Sequence, residues 1–385
     1  MTSMRLVLPL SVALLLLTAA TGDSTADSTL DSTVDSTVDS AADSSTGSTA
    51  DATTGHITLD ESLRLATEYR KRGRYQEAEE LYHTIMERFP DSPDAHNGLG
   101  FMYSTLGDYD RAIESFQQAA RLRPGWARPL YHTGSCFTEL KRYDEAERFL
   151  KQSLQLDPAD ASAHNALGIL YARRSINDRA VQAYKKAAEL RPGWIAPHWN
   201  LVLLYDSQGL YRESDPHLKE VLRADPENRN ALYKMVEHIA GGGGGQWEAA
   251  QSYAGRLVAS HPDWQVSHEA MGIVLVALNK LDEAETSFMK ALALDPDSAA
   301  ARLGLGRIRM QQGRYAQSET EYRKALDIDA SLHEARQGIE TAQHQSRQSA
   351  GGCSRATPSH GNFASLLYYL AVLVPAMLFR RRNRP

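Results

Sequence analysis

Seven prolines recur through the middle of this chain, at Pro90, Pro124, Pro158, Pro192, Pro226, Pro262 and Pro296, and their successive gaps are 34, 34, 34, 34, 36 and 34 residues. A fixed period of about 20–50 residues marks a repeat architecture, in which one supersecondary unit stacks on the next because it cannot bury its apolar face alone. Such an array grows in one dimension, so the length of 385 residues does not set a number of globular domains. A proline at one fixed place per unit ends a helix there, because it biases the preceding residue away from α geometry.

Laying the chain out in 34-residue units from Leu59 fills further columns. Position 8 holds Ala66, Gly100, Gly134, Gly168, Val202, Val236, Gly272 and Gly306. Position 20, counted past a two-residue insertion in the sixth unit, holds Ala78, Ala112, Ala146, Ala180, Ser214, Ala250, Ala284 and Ser318. Position 11 holds Tyr69, Tyr103, Phe137, Tyr171, Tyr205, Ile239, Leu275 and Arg309. Small residues at two fixed places let paired helices approach closely, and large apolar ones fill the space between units at interior density. These columns resemble the tetratricopeptide repeat motif, whose period is also 34. The resemblance covers eight units: 59–92, 93–126, 127–160, 161–194, 195–228, 229–264, 265–298 and 299–332. It implies an all-α, right-handed superhelical solenoid of eight antiparallel helix pairs, followed by a polar capping helix over 333–345. Two places depart from the pattern. The eighth unit carries Ala330 for proline and Arg309 in the apolar column, as a terminal unit facing water would. Five glycines at 241–245 stand between the two helices of the sixth unit and predict a long, flexible turn.

The flanks have a different character. Arg5, an apolar run over 6–17 and the small residues Thr18, Ala19 and Ala20 predict a secretory signal peptide over 1–22. Residues 23–58 form an Asp/Ser/Thr-rich linker without Lys or Arg, expected to be a disordered, extended stalk whose hydroxyls can carry sugars. It lacks the alternating acidic ligands and glycine of a calcium loop. Past the repeats, a linker over 346–362 contains Gly351-Gly352-Cys353-Ser354, an apolar span covers 363–379, and the tail at 380–385 carries Arg380, Arg381, Arg382 and Arg384. Clustered arginines stay on the cytoplasmic side, which puts the repeats outside, as the signal peptide also requires. The Gly-Gly-Cys motif, short span and basic tail resemble the tripartite C-terminal sorting signals of bacterial surface proteins (the PEP-CTERM, GlyGly-CTERM and MYXO-CTERM types). That resemblance implies a sorting protease as a partner, with Cys353 at the processing or modification site. A plain C-terminal transmembrane anchor with an incidental cysteine is the alternative.

The bulk composition excludes some functions. With 42 Lys+Arg against 48 Asp+Glu the chain has a formal charge of -6, not the basic excess of a nucleic-acid binder. Two cysteines, Cys136 and Cys353, make no disulfide framework. No catalytic constellation, cofactor or metal site is expected. His96, His164, His198 and His268 share position 4, but zinc needs several ligands at about 2 Å while packed helices lie about 8–10 Å apart, so a packing role is expected. Cys136 reads as a buried thiol. Gly304-Leu305-Gly306 lacks the third glycine and the preceding strand of a dinucleotide loop.

In the family resembled, the first helices line a concave groove through positions 2, 5, 6, 9, 12 and 13. Carried over here, Asn97, Arg128, Tyr131, His132, Asn165, Trp199, Asn200, Tyr233, Lys234 and Glu237 become candidate partner-binding residues. Aromatic rings beside polar groups suit peptide or glycan recognition, unless those rings simply pack on one another. Leu63 and Thr67 do not match the carboxylate clamp of chaperone-binding relatives. Trp126, Trp194 and Trp264 recur at position 34 and are assigned to the inter-unit turns on the outside edge. The expected function is that of an exported, membrane-anchored scaffold holding a protein or peptide partner in its groove. The alternative is an accessory of exopolysaccharide or glycan assembly or export. An enzyme is not expected, because no globular segment stands between Gln345 and the terminal span.

Overall fold

The computed structural model describes residues 58–241 and 246–351. The expected signal peptide, the Asp/Ser/Thr linker up to residue 57, the glycines at 242–245, Cys353, the 363–379 span and the basic tail lie outside the described residues. Among the described residues there are seventeen α-helices and no strand, and no helix there is long and apolar enough to cross a membrane.

The chain divides into two compact units, residues 1–208 and 209–385. The first holds α1 (Leu59–Lys71), α2 (Tyr75–Arg88), α3 (Pro93–Thr105), α4 (Tyr109–Leu122), α5 (Ala127–Glu139), α6 (Tyr143–Leu156), α7 (Ala161–Arg173), α8 (Asn177–Leu190) and α9 (Ile195–Asp206). The second holds α10 (Tyr211–Ala224), α11 (Arg229–Gly241), α12 (Trp247–Ser260), α13 (Gln265–Ala277), α14 (Leu281–Leu294), α15 (Ala299–Gln311), α16 (Tyr315–Ile328) and α17 (His333–Gly351). Within each unit, successive helices pack on one another in chain order.

Local chemistry sets these boundaries. Thr58 closes a capping box with Glu61 at the start of α1, and Ser92, Asp160 and Ser298 accept from main-chain N–H groups at the starts of α3, α7 and α15. Each cap satisfies a donor that the helix leaves orphaned. The turn after the first helix uses a left-handed residue at position 15. Glycine supplies it at Gly73, Gly107, Gly209 and Gly313, but Lys141, Ser175 and Asn279 adopt it as well. For most L-residues that conformation costs about 1–2 kcal/mol, and asparagine tolerates it better than the other two.

The glycine column at position 8 is a row of seats for the bulky side chain at position 24 of the same repeat. A Cβ on Gly100 would lie 2.7 Å from the Phe116 ring, on Gly134 2.7 Å from Leu150, and on Gly168 2.4 Å from Tyr184. In the second unit the seats are double. Phe288 lies between Gly272 and Gly304, with Cβ approaches of 2.7 and 2.3 Å, and Tyr322 between Gly306 and Gly338, at 2.6 and 2.4 Å. Gly304-Leu305-Gly306 is thus a pair of ring seats. Burying rings such as Phe116, Phe288 and Tyr322 stabilises by about 1.5–3 kcal/mol each. Gly338 also shows that α17 stands in the place of a further first helix, and α17 runs past the expected end at Gln345 to Gly351.

Position 11 explains Arg309. The Tyr103 hydroxyl donates to Glu79 at 2.7 Å and the Tyr171 hydroxyl to Glu147 at 3.0 Å, position 21 of the preceding repeat in each case. Arg309 reaches Glu285, the same position, through two guanidinium contacts. It is therefore a partly buried ion pair replacing a tyrosine–carboxylate bond, not a side chain turned to water as the terminal-unit argument expects. The position-4 histidines pin turns: the Nε2 atoms of His164 and His268 lie 3.1 and 3.0 Å from the carbonyls of Pro158 and Pro262. Cys136 is a buried thiol outside any disulfide.

Candidate functional site

The first helices α3, α5, α7 and α9 of the residues 1–208 unit carry seven of the ten predicted residues, and two of these are in an unusual state. Asn97 on α3 and His132 on α5 are each 9 % exposed. The Asn97 Oδ1 and the His132 Nε2 are buried with no hydrogen-bond partner. A buried polar atom left in this way costs about 1–3 kcal/mol, and native structures keep few of them.

Packing forces this on His132. It occupies position 6 of its repeat, where Gly98 and Gly304 stand in others. Instead of yielding to the ring at position 24 of the previous repeat, its imidazole covers that ring. It stacks on Phe116 with centroids 5.1 Å apart, meets Phe101 edge-on at 4.2 Å and leans on Tyr131 at 4.5 Å. Burial, then the charges of Arg128 and Arg70, hold its pKa well below the usual histidine range, so the ring is neutral. Arg70 lies over the Phe101 ring, 5.4 Å from its centroid. Asn97 is one helical turn before Phe101 on α3, on the same face. The patch is thus an aromatic floor bearing two unfilled polar atoms, with guanidinium groups beside it.

The other predicted residues divide into two sets. Further along this unit, Asn200 on α9 donates to Asn165 on α7 at 3.0 Å, and Asn165 is 7 % exposed. Glu139 and Arg173 pair at 2.8 Å. Trp199, Tyr131 and Arg128 are half-buried. In the residues 209–385 unit, Lys234 and Glu237 pair at 3.1 Å. Burial, then Glu237 and Glu269, push the Tyr233 phenol well above its usual range. The tyrosine meets Trp264 edge-on at 6.1 Å. Trp264 therefore joins a first-helix residue rather than standing alone on an outside edge, whereas Trp126 and Trp194 lie against Arg123 and Arg191 of their own turns.

Asn97, His132 and Asn165 are consequently buried elements of the face, not side chains presented to water: position 5 and 6 groups sit where adjacent first helices close on each other. Reading position 5 for aromatics missed Phe101. It stands at position 9, and its place between Arg70 and His132 depends on three helices. Among the described residues no group of three or more His, Cys, Asp or Glu could hold a metal ion.

Comparison with known proteins agrees with the repeat architecture. The family model described as the cilia and flagella-associated protein 70 C-terminal domain matches residues 23–254, and a tetratricopeptide repeat model matches residues 269–333. No curated protein matches the chain. Among solved structures, MamA (residues 41 to the end) from Desulfovibrio magneticus RS-1 is 24% identical, over 44% of this chain and 96% of its own, with a TM-score of 0.39. A tetratricopeptide repeat protein from Parabacteroides merdae is 16% identical, over 74% and 98%, at 0.39. PilF of Pseudomonas aeruginosa is 19% identical, over 63% and 95%, at 0.44. With a repeat model matched over more than half its length, the chain belongs to the tetratricopeptide repeat family.

Proposed function

We propose that this protein is a non-catalytic scaffold that holds an extended peptide segment of a partner along its first-helix face, with the patch around Asn97, Phe101, Tyr131 and His132 as the principal contact. The observation that carries this reading is the set of half-buried side chains Phe101, Arg128 and Tyr131 on neighbouring first helices, standing over the buried Asn97 and His132. A main-chain amide offers both a donor and an acceptor, and rings give large contact area at low entropic cost. In the same proposal the repeats wind as a right-handed superhelix. They stand on the outer side of a membrane, exported by the 1–22 signal and held by the 363–379 span until any processing at Cys353.

The test is a pull-down from solubilised envelope with the full chain as bait. One control bait carries Tyr131→Ala with His132→Phe, and a second carries Tyr233→Ala. Proteins retained by the wild type and the second bait but lost from the first support the assignment. Equal capture by all three baits overturns it.

A further inference from the structure

The first helices of the residues 1–208 unit carry a second periodicity inside the 34-residue one. Position 5 alternates between a large apolar residue and asparagine: Leu63 on α1, Asn97 on α3, Tyr131 on α5, Asn165 on α7 and Trp199 on α9. Position 9 alternates in the opposite sense, with Thr67, Phe101, Ser135 and Ile169 on α1, α3, α5 and α7, and α9 closes the row with Leu203 beside Trp199. Positions 5 and 9 are one turn apart on one face of a helix. The asparagines are buried, and the small hydroxyls are engaged within the molecule: Thr67 shares a hydrogen bond with the Tyr82 hydroxyl at 3.3 Å, and Ser135 donates to the Tyr131 carbonyl at 3.1 Å. The large side chains, by contrast, are each half-buried. Every first helix of this unit therefore presents a partly exposed apolar side chain, in the order Leu63, Phe101, Tyr131, Ile169 and Trp199.

The spacing of this row selects what can lie along it. Packed helices stand about 8–10 Å apart, so the five side chains extend over about 32–40 Å. A β-strand places every second side chain on one face, about 7 Å apart, and an α-helix repeats its apolar stripe at each turn of about 5.4 Å. Neither gives one contact per first helix. A polyproline II segment has three residues per turn at about 3.1 Å each, so every third side chain faces the same way about 9.3 Å apart. Twelve such steps cover about 37 Å, the length of the row. Aromatic-lined grooves are also the surfaces that take proline-rich segments, and three of the five side chains are aromatic. The chain's own Asp/Ser/Thr linker has a different spacing: Ala26, Leu30, Val34 and Val38 recur at every fourth residue.

We infer that the first-helix face of this unit recognises a proline-rich partner segment in polyproline II geometry with an apolar side chain at every third residue, one for each of α1, α3, α5, α7 and α9. This rests on the first-helix face being a peptide site, as proposed above.

The experiment measures fluorescence anisotropy of labelled peptides with the full chain purified in detergent. The probe is a thirteen-residue peptide of four Leu-Pro-Gln triplets and a final Leu. It is compared with an isomer of the same composition whose leucines stand at alternate positions, and with a seven-residue version carrying three leucines. The expected result is that the probe binds at least about tenfold more tightly than either, because each leucine left without its contact costs about tenfold. Trp199→Ala should weaken the probe about tenfold, while Trp126→Ala, on an outside turn, should leave it unchanged. The comparison among peptides needs no change in the protein, so it stands even where a variant disturbs folding. Equal affinity for the two isomers, equal affinity for the short and long peptides, or failure of the full chain to bind any of the three would overturn the inference. Partner capture in the pull-down described above would still support the scaffold reading in each of those cases, so the two proposals fail separately.

Discussion

Changing His132 to phenylalanine separates what this side chain does for the fold from what it does for binding. The imidazole is 9 % exposed and touches the rings of Phe101, Phe116 and Tyr131. A phenyl ring keeps these contacts, each worth about 0.5–1.5 kcal/mol, and removes the unfilled Nε2. Relief of that buried polar atom gains about 1–3 kcal/mol, against a fitting cost below about 1.5 kcal/mol for a near volume-conserving swap. The net expectation at neutral pH is a stabilisation of about 1 kcal/mol. The pH dependence adds a second signature. Burial and the neighbouring arginines depress the folded-state pKa below the ordinary 6.5, so the unfolded chain takes up the proton first. The neutral histidine's stability is therefore fully present above 6.5 and is lost as pH falls below it, by about 1.4 kcal/mol per pH unit until the folded value is reached. The advantage of His132→Phe should grow by about that amount one pH unit below 6.5. Because stacked repeats need not unfold together, urea unfolding of the full chain should be paired with hydrogen exchange in α3 and α5. Destabilisation of more than about 1 kcal/mol at neutral pH, or an unchanged pH dependence, would refute the reasoning, since the Nε2 would then have a partner or the ring would be charged.

Two further outcomes are expected. Ser214 and Ser318 share position 20 and are both fully buried, but Ser318 donates to the Gly306 carbonyl at 2.7 Å while the Ser214 Oγ has no partner. Ser318→Ala should lower stability by about 1 kcal/mol and Ser214→Ala should hold or raise it; thermal unfolding in which the two behave alike contradicts this account. The Tyr322 phenol is pushed up to about 12, chiefly by burial between Gly306 and Gly338. Its raised pKa means stability fully present below pH about 10 and lost above it, so Tyr322→Phe should flatten the alkaline limb of the stability profile measured by denaturant titration.

Much of this fold follows from spacing alone. The proline period and the small-residue columns at positions 8 and 20 determine the helical hairpins, because helix termination and close helix approach are local demands that particular residue types meet. The column at position 24 had no such signature: Phe116, Leu150, Tyr184, Phe288 and Tyr322 differ in kind and share only the seat that a glycine opposite provides. Arg309 misleads for a related reason. It looks wrong against its own neighbours in sequence, and it is explained by a partner contributed by another helix. For the candidate site, the sequence determined which first-helix positions line one face, since that follows from helical periodicity and the repeat register. Only the tertiary structure decided that Asn97 and His132 are buried with unfilled polar atoms, that Asn165 and Asn200 satisfy each other, and that Phe101 holds the floor together. Periodicity fixes the direction in which a side chain leaves its helix. Burial and hydrogen-bond satisfaction depend on what the neighbouring repeats place in front of it.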